Sequence, residues 1–244
     1  MPIGKDTVDD LIEEIYPGLH DLTSMSESEI RRYFSRRVIL AARNIDVDAV
    51  NNVILKRLTD DSKVYHSADS AFNDGGVAND AIPIEYLNTI TVPGMPIHET
   101  ILKPNCPIIL LRNLNRQEGL CNGTRMIVTA VAERVIEAQI LTGIHAGKRA
   151  FIPRISLDTA MSTGLGFILR RRQLPIRLGF SMSINKAQGQ SLDRVGIYLK
   201  NPVFAHGQLY VALSRCTDWR NLRVLLSPNV HRKTSNIVYP EVIH

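Results

Sequence analysis

Two short stretches of this sequence carry side chains whose types and spacing suit phosphate chemistry. The first closes Ser183-Ile184-Asn185-Lys186-Ala187-Gln188-Gly189-Gln190-Ser191-Leu192-Asp193. Ser183, Asn185 and Lys186 set a hydroxyl, a carboxamide and an ammonium close together, all donors that suit a polyanionic backbone. Gly189 has the conformational freedom that lets a backbone approach a ligand, and Gln190 adds a further hydrogen-bonding group. The second stretch is Gly207-Gln208-Leu209-Tyr210-Val211-Ala212-Leu213-Ser214-Arg215. A guanidinium is a permanent forked cation that fits phosphate oxygens. Helical neighbours recur three and four apart, so Leu209, Ala212, Leu213 and Cys216 are predicted to form one apolar stripe facing a sheet. Gln208, Val211 and Arg215 fall on the adjacent stripe, which presents Arg215 at an edge.

Other chemistry is poorly represented. Gly143-Ile144-His145-Ala146-Gly147-Lys148-Arg149 imitates a phosphate loop. A true one needs four residues between its glycines and a hydroxyl after the lysine, so that amides wrap the phosphates and the hydroxyl reaches magnesium. Here Arg149 replaces the hydroxyl and β-like runs flank the segment on both sides, so it reads as a hairpin loop. No other stretch supplies a phosphate loop, and no apolar strand ends in paired acids. Cys106, Cys121 and Cys216 form no CxxC pair or His/Cys cluster and read as free thiols. The histidines are scattered, and no Ser/His/Asp or Cys/His arrangement follows from the spacing.

The two stretches resemble motifs V and VI of superfamily-one DNA helicases of the Pif-type, RecD-like branch, which includes the helicases of Helitron transposons. That family reads roughly L-R-x-x-(Y/F)-A-x-(S/T)-I-(H/N)-K-(S/A)-Q-G in motif V and (Y/L)-V-A-L-S-R in motif VI. The resemblance implies that Ser183, Asn185 and Lys186 contact the backbone of single-stranded DNA, and that Gly189, Gln190 and Arg215 belong to the nucleotide site. Arg215 is implied to be the arginine finger that stabilises charge on the γ-phosphate of ATP; a salt-bridged surface arginine is the simpler reading of an isolated one. Asn185 stands where many relatives carry histidine, keeping a donor and losing the ring. ATP and Mg2+ are the implied cofactors. Both would be held mainly by a first RecA-like domain carrying the phosphate loop, so an N-terminal RecA-like helicase domain is an implied partner. This chain is expected to hold only the second half of such an engine, beginning after motif IV, and to be inactive in ATP hydrolysis alone. The implied movement is 5′ to 3′ and the implied location intracellular and nuclear, with the family's links to repair, recombination and telomere maintenance. A non-catalytic nucleic-acid-binding remnant of a transposon helicase is the alternative.

These motifs need a scaffold, and the remaining sequence outlines one. Ser26 and Glu29 have capping-box spacing, which predicts a helix toward Arg36 with Ile30, Tyr33 and Phe34 buried. Met1 to Met25 reads as a partly ordered lead-in. Val38 to Ala42 reads as a buried strand and Asn44 as the cap of a following helix, with Val47, Val50, Ile54 and Leu58 at helical spacing. A helix cap is the preferred reading of Asn44 over a DNA contact. A second run, Lys63 to Ser67, then completes a βαβ-like unit. From Ile84 to Arg172 short β-like runs and closely spaced turns replace this alternation, as in a small barrel or curled antiparallel sheet. Leu110 to Arg125 resembles the small β-barrel insertion of the family's second RecA-like domain. Strand, loop and arginine-bearing helix from Leu174 to Leu226 return to a parallel α/β order, whose ligands are expected beyond the carboxyl ends of the strands. The expected fold is therefore α/β: a RecA-like parallel sheet domain (36–83 and 173–228) interrupted by a β-barrel-like insertion (84–172). A lead-in with one helix (1–35) and a tail (229–244) flank it.

Composition agrees with a folded chain. Hydrophobic residues make up 44% and charged residues 22% of 244, with a net charge of +5. That excess permits nucleic-acid binding without demanding it. No apolar stretch is long enough to span a membrane, and the acidic N-terminus is no secretory signal.

Overall fold

The computed structural model describes residues 7–227, 233–239 and 241. They belong to two compact units: Met1–Thr59 with Leu178–His244, and Asp60–Arg177.

The first unit begins with helix α1 (Val8–Ile15), capped by the Thr7 side chain. Leu11, Ile12 and Ile15 on one face of α1 are buried, and α1 packs on strands of the central sheet. The segment read as a lead-in is thus part of the core over its described residues. Helix α2 (Glu27–Ser35) starts in the expected capping box, with Ile30, Tyr33 and Phe34 buried. Strand β1 (Arg37–Ala41) is inaccessible from Val38 onward. Helix α3 (Asn44–Arg57) follows. Its N-cap is Arg43, with no side-chain cap, so Asn44 is the first helical residue and not the cap.

The second unit is β-rich. It holds β2 (Lys63–His66), β3 (Ala68–Phe72), helix α4 (Ile84–Thr89), β4 (Glu99–Leu102), β5 (Pro107–Leu110), β6 (Arg125–Val131), β7 (Val135–Ile140), β8 (Arg149–Pro153), β9 (Ile155–Asp158), β10 (Ile168–Gln173) and β11 (Ile176–Leu178). They form sheets ordered β11-β5-β6-β7-β8, β3-β10-β9 and β2-β4. Strand β2 pairs antiparallel with β4, so it does not complete a βαβ unit with β1: its partner comes from the following segment, which the local strand–helix–strand order could not reveal. Gly143–Arg149 is the turn between antiparallel β7 and β8, as its flanking runs predicted. Strand β10 shows how the unit is locked. Arg171 lies directly opposite Asp69 on β3, and both side chains are inaccessible. Its Nε and Nη2 donate to both Asp69 carboxylate oxygens, and its remaining N–H groups reach the carbonyls of Leu87, Ile90 and Pro96 at 2.9–3.1 Å. A buried charge persists only when paired and fully hydrogen-bonded, and this guanidinium meets both conditions.

The chain then returns to the first unit with β12 (Ser181–Ser183), β13 (Arg194–Leu199), helix α5 (Gln208–Leu213) and β14 (Leu222–Leu226). The sheet order is β12-β1-β13-β14 and every pairing is parallel. This is the expected α/β architecture. Gly196 on β13 lies under α1: a Cβ there would meet Ile15 at 2.9 Å, Ile39 at 3.1 Å and Leu11 at 3.2 Å.

Candidate functional site

Ser183 is the last residue of β12 and lies opposite Ala41, the last residue of β1. It therefore sits at the carboxyl ends of the parallel strands. A single 3-10 turn, Ile184–Ala187, follows. Ile184 and Ala187 are wholly buried, which turns Asn185 and Lys186 outward, where both are exposed. Burial of two apolar neighbours thus presents two donors side by side, with the half-buried Ser183 hydroxyl just before them.

The backbone of Gln190 closes a turn on the carbonyl of Ala187 (3.1 Å). Gln188 at φ −56°, ψ 133° and Gly189 at φ +78° give this turn type II geometry. The third position of such a turn requires positive φ, so Gly189 has a local reason to be glycine. The Gln190 side chain donates to the Lys186 carbonyl at 3.2 Å. Beyond the turn the loop reaches the opposite edge of the sheet. Asp193 N donates to the carbonyl of Arg36, just before β1. Leu192 forms a parallel bridge with Cys216, and its N–H donates to the Arg215 carbonyl at 3.0 Å. One loop thus runs from the carboxyl end of β12 to the amino end of β13, about 15 Å along the five-residue β1.

Arg215 lies at that second edge, in the turn after α5. Its Nε donates to the Val211 carbonyl (2.9 Å), Nη1 to the Gln190 carbonyl (3.1 Å) and Nη2 to the Ser214 hydroxyl (2.8 Å). A guanidinium carries five N–H donors, so among the described residues two are left by these contacts. The expectation that ligands gather beyond the carboxyl ends of the strands fits Ser183, Asn185 and Lys186. Arg215 is instead beside Leu192 near the amino ends, and Gln190 stands between, hydrogen-bonded to both Lys186 and Arg215. The apolar stripe of α5 also differs from the one predicted. Ala212 and Gln208 are buried, Leu209 is half-buried and Leu213 is 40% exposed. The side-chain oxygen of buried Gln208 accepts from Phe204 N at 3.0 Å, while its Nε2 has no hydrogen-bond partner among the described residues.

Asn51 is the residue that sequence reasoning missed. It is buried on α3, and its carboxamide accepts from Ser181 N (2.7 Å) and donates to the carbonyls of Ser181 and Leu178 (3.2 Å each). The Tyr16 hydroxyl and the Ile39 N–H both donate to the neighbouring Phe180 carbonyl. These contacts fix the start of β12, two residues ahead of Ser183. A signal for Asn51 existed: it falls on the apolar stripe of Val47, Val50 and Ile54, where a polar group needs a partner.

The thiols support no site chemistry. Burial pushes Cys106 up to about 12, so it stays protonated. Burial also raises Cys216, which donates to the carbonyls of Asp218 and Asp193. Among the described residues no group of three or more His, Cys, Asp or Glu could hold a metal ion. Among those residues, too, no helix is long and apolar enough to cross a membrane.

With this geometry in view, the relatives are informative. Residues 85–131 match the family model "DNA helicase Pif1, 2B domain". The chain is 33% identical over 196 residues to the Xenopus laevis ATP-dependent DNA helicase PIF1, covering 79% of this chain and 28% of the relative. The similarity is to the C-terminal region of Pif1-type superfamily-one helicases. The human ATP-dependent DNA helicase PIF1 is 40% identical over 131 residues, 51% of this chain and 19% of its own. The chain thus spans under a third of the length of these curated relatives. The fold matches that of a Bacteroides Pif1 helicase solved in complex with ADP-AlF3 and single-stranded DNA. Its TM-score is 0.61 at 20% identity, covering 99% of this chain and 49% of that one.

Proposed function

We propose that this chain provides the single-stranded-DNA contact and the arginine finger of an ATP-dependent DNA helicase that moves 5′ to 3′. Ser183, Asn185 and Lys186 grip the DNA backbone, positioning it without reading sequence. Arg215, with Gln190 and Gly189 beside it, faces the phosphates of an ATP molecule. That ATP and its Mg2+ are held mainly by a separate RecA-like domain with a phosphate loop. The observation that carries this reading is the continuous connection between the two groups. The loop that displays Asn185 and Lys186 at one end is hydrogen-bonded to Arg215 at the other, through Gln190 and Leu192. A shift of Arg215 on phosphate release is thereby transmitted along the loop to the DNA-facing turn.

Binding of a labelled oligothymidylate across a salt series tests the DNA half of the proposal. Lys186→Ala should weaken binding and flatten the log–log salt slope by about 0.7, the value for one phosphate on a single strand. Binding unchanged in both affinity and slope would remove this segment from the DNA path.

A further inference from the structure

The second unit contains a cleft of about 520 Å³ lined by Ala68, Arg134, Val135, Pro153, Arg154 and Arg172. Two cross-strand pairs frame it. Arg172 on β10 lies opposite Ala68 on β3, and Val135 on β7 lies opposite Pro153 on β8. Residues opposite each other on neighbouring strands share a face, so each pair presents two side chains together. Arg134 precedes Val135 and Arg154 follows Pro153, so the antiparallel register brings these two arginines together at one end of the second pair. The methyl group of Ala68 leaves room beside Arg172. Three arginines therefore line one cleft, and none of the described residues lining it is a carboxylate.

Arg154 is the most constrained of the three. It lies 5.6 Å from the centre of the Tyr65 ring, and Nη1 donates to the His66 carbonyl at 2.9 Å. Its Nε is buried and has no hydrogen-bond partner among the described residues. A buried donor left unpaired costs stability, and like charges around one cleft repel. A bound oxyanion would relieve both.

We infer that this cleft binds phosphate, in the form of a phosphodiester of single-stranded nucleic acid or a free phosphate compound. The site lies wholly within the second unit and is distinct from Ser183, Asn185, Lys186 and Arg215, so it stands or falls independently of the function proposed above. Planar guanidiniums take phosphate oxygens in pairs, and three of them match the oxygens of one or two phosphates.

The test uses the full chain, a labelled oligothymidylate, and pyrophosphate both as competitor and as direct ligand in calorimetry. Arg134→Gln, Arg154→Gln and Arg172→Gln should each reduce affinity and flatten the salt slope, by about 0.7 for each phosphate that is no longer neutralised. Ala68→Phe removes no charge and sits at an exposed strand position. By filling the cleft it should also weaken binding. Loss of oligonucleotide affinity in these variants identifies the phosphodiester as ligand. Pyrophosphate binding that the same variants abolish, with oligonucleotide binding untouched, identifies a free phosphate compound. If all four variants match the parent chain toward both probes, the cleft is not a phosphate site. A Lys186→Ala chain that binds normally while the arginine variants fail would sink the proposed function and leave this inference intact.

Discussion

Asn51 saturates the backbone polar groups of Ser181 with a single carboxamide, and the turn that we propose contacts DNA begins just after Ser183, two residues further on. Asn51→Leu would leave those groups buried without partners, at about 1–3 kcal/mol. Urea unfolding should show that loss, and oligothymidylate affinity should fall with it because Ser183 and Lys186 lose their fixed origin. A variant with the parent's midpoint would show that the clamp is dispensable. Cys106 gives a second residue-scale prediction. Burial holds its thiol up to about 12, so below that pH it stays protonated and unreactive toward iodoacetamide in the native chain. It should become modified on unfolding in denaturant, as mass spectrometry would record; rapid native labelling would contradict its burial. At this scale the sequence was partly legible. The types of Ser183, Asn185, Lys186 and Arg215 were visible; the burial of Ile184 and Ala187 that turns Asn185 and Lys186 outward was not. The local need for Gly189 in a type II turn was hidden, because it depends on the dihedral angles of Gln188. Asn51 was hidden because its partner lies 130 residues away.

Helix α1 and strand β10 show what sequence periodicity can and cannot reveal. The capping box of α2 was legible because both of its residues lie within one turn. Helix α1 was read as lead-in because the glycine that admits it, Gly196, is far downstream in the chain. Gly196→Val should force α1 from β13, costing about 1–3 kcal/mol by overpacking. Thermal unfolding checks this, and an unchanged Tm would mean that Ile15 and Leu11 simply move aside. Strand β10 reads Ile-Leu-Arg-Arg-Arg-Gln, and a run of arginines suggests a solvated face. Its alternation nonetheless buries Leu169, Arg171 and Gln173, with Asp69 opposite as the compensating charge. Arg171→Met would strand that carboxylate, at about 3–5 kcal/mol. Limited proteolysis should then cut first within 60–177. Preferential cleavage in 7–59 would place the influence of Arg171 elsewhere. The βαβ misreading of Lys63–His66 has the same origin, since antiparallel pairing with Glu99–Leu102 leaves no local signature.

For the molecule as a whole, the sequence supplied the α/β class and the resemblance to Pif1-type helicases, because the stretches that carry the resemblance are contiguous strings. The strands of the β-rich unit, Asp60–Arg177, find partners far apart in the chain, which local patterns do not reveal. The sequence holds no phosphate loop, so the purified 244-residue chain is expected to show no DNA-stimulated ATP turnover. We propose that two ligands act at the two ends of one loop. Joining the chain to a phosphate-loop domain of a Pif1-type relative and comparing Arg215→Ala with Lys186→Ala separates the two ligands. ATP turnover with and without DNA, and DNA affinity, are measured for both. Arg215→Ala should slow hydrolysis about a thousandfold or more, as loss of a finger arginine does, and leave DNA affinity nearly intact. Lys186→Ala should weaken DNA binding and spare the hydrolysis seen without DNA. If Arg215→Ala abolished DNA binding while hydrolysis continued, the assignment of the two ends to two ligands would be wrong.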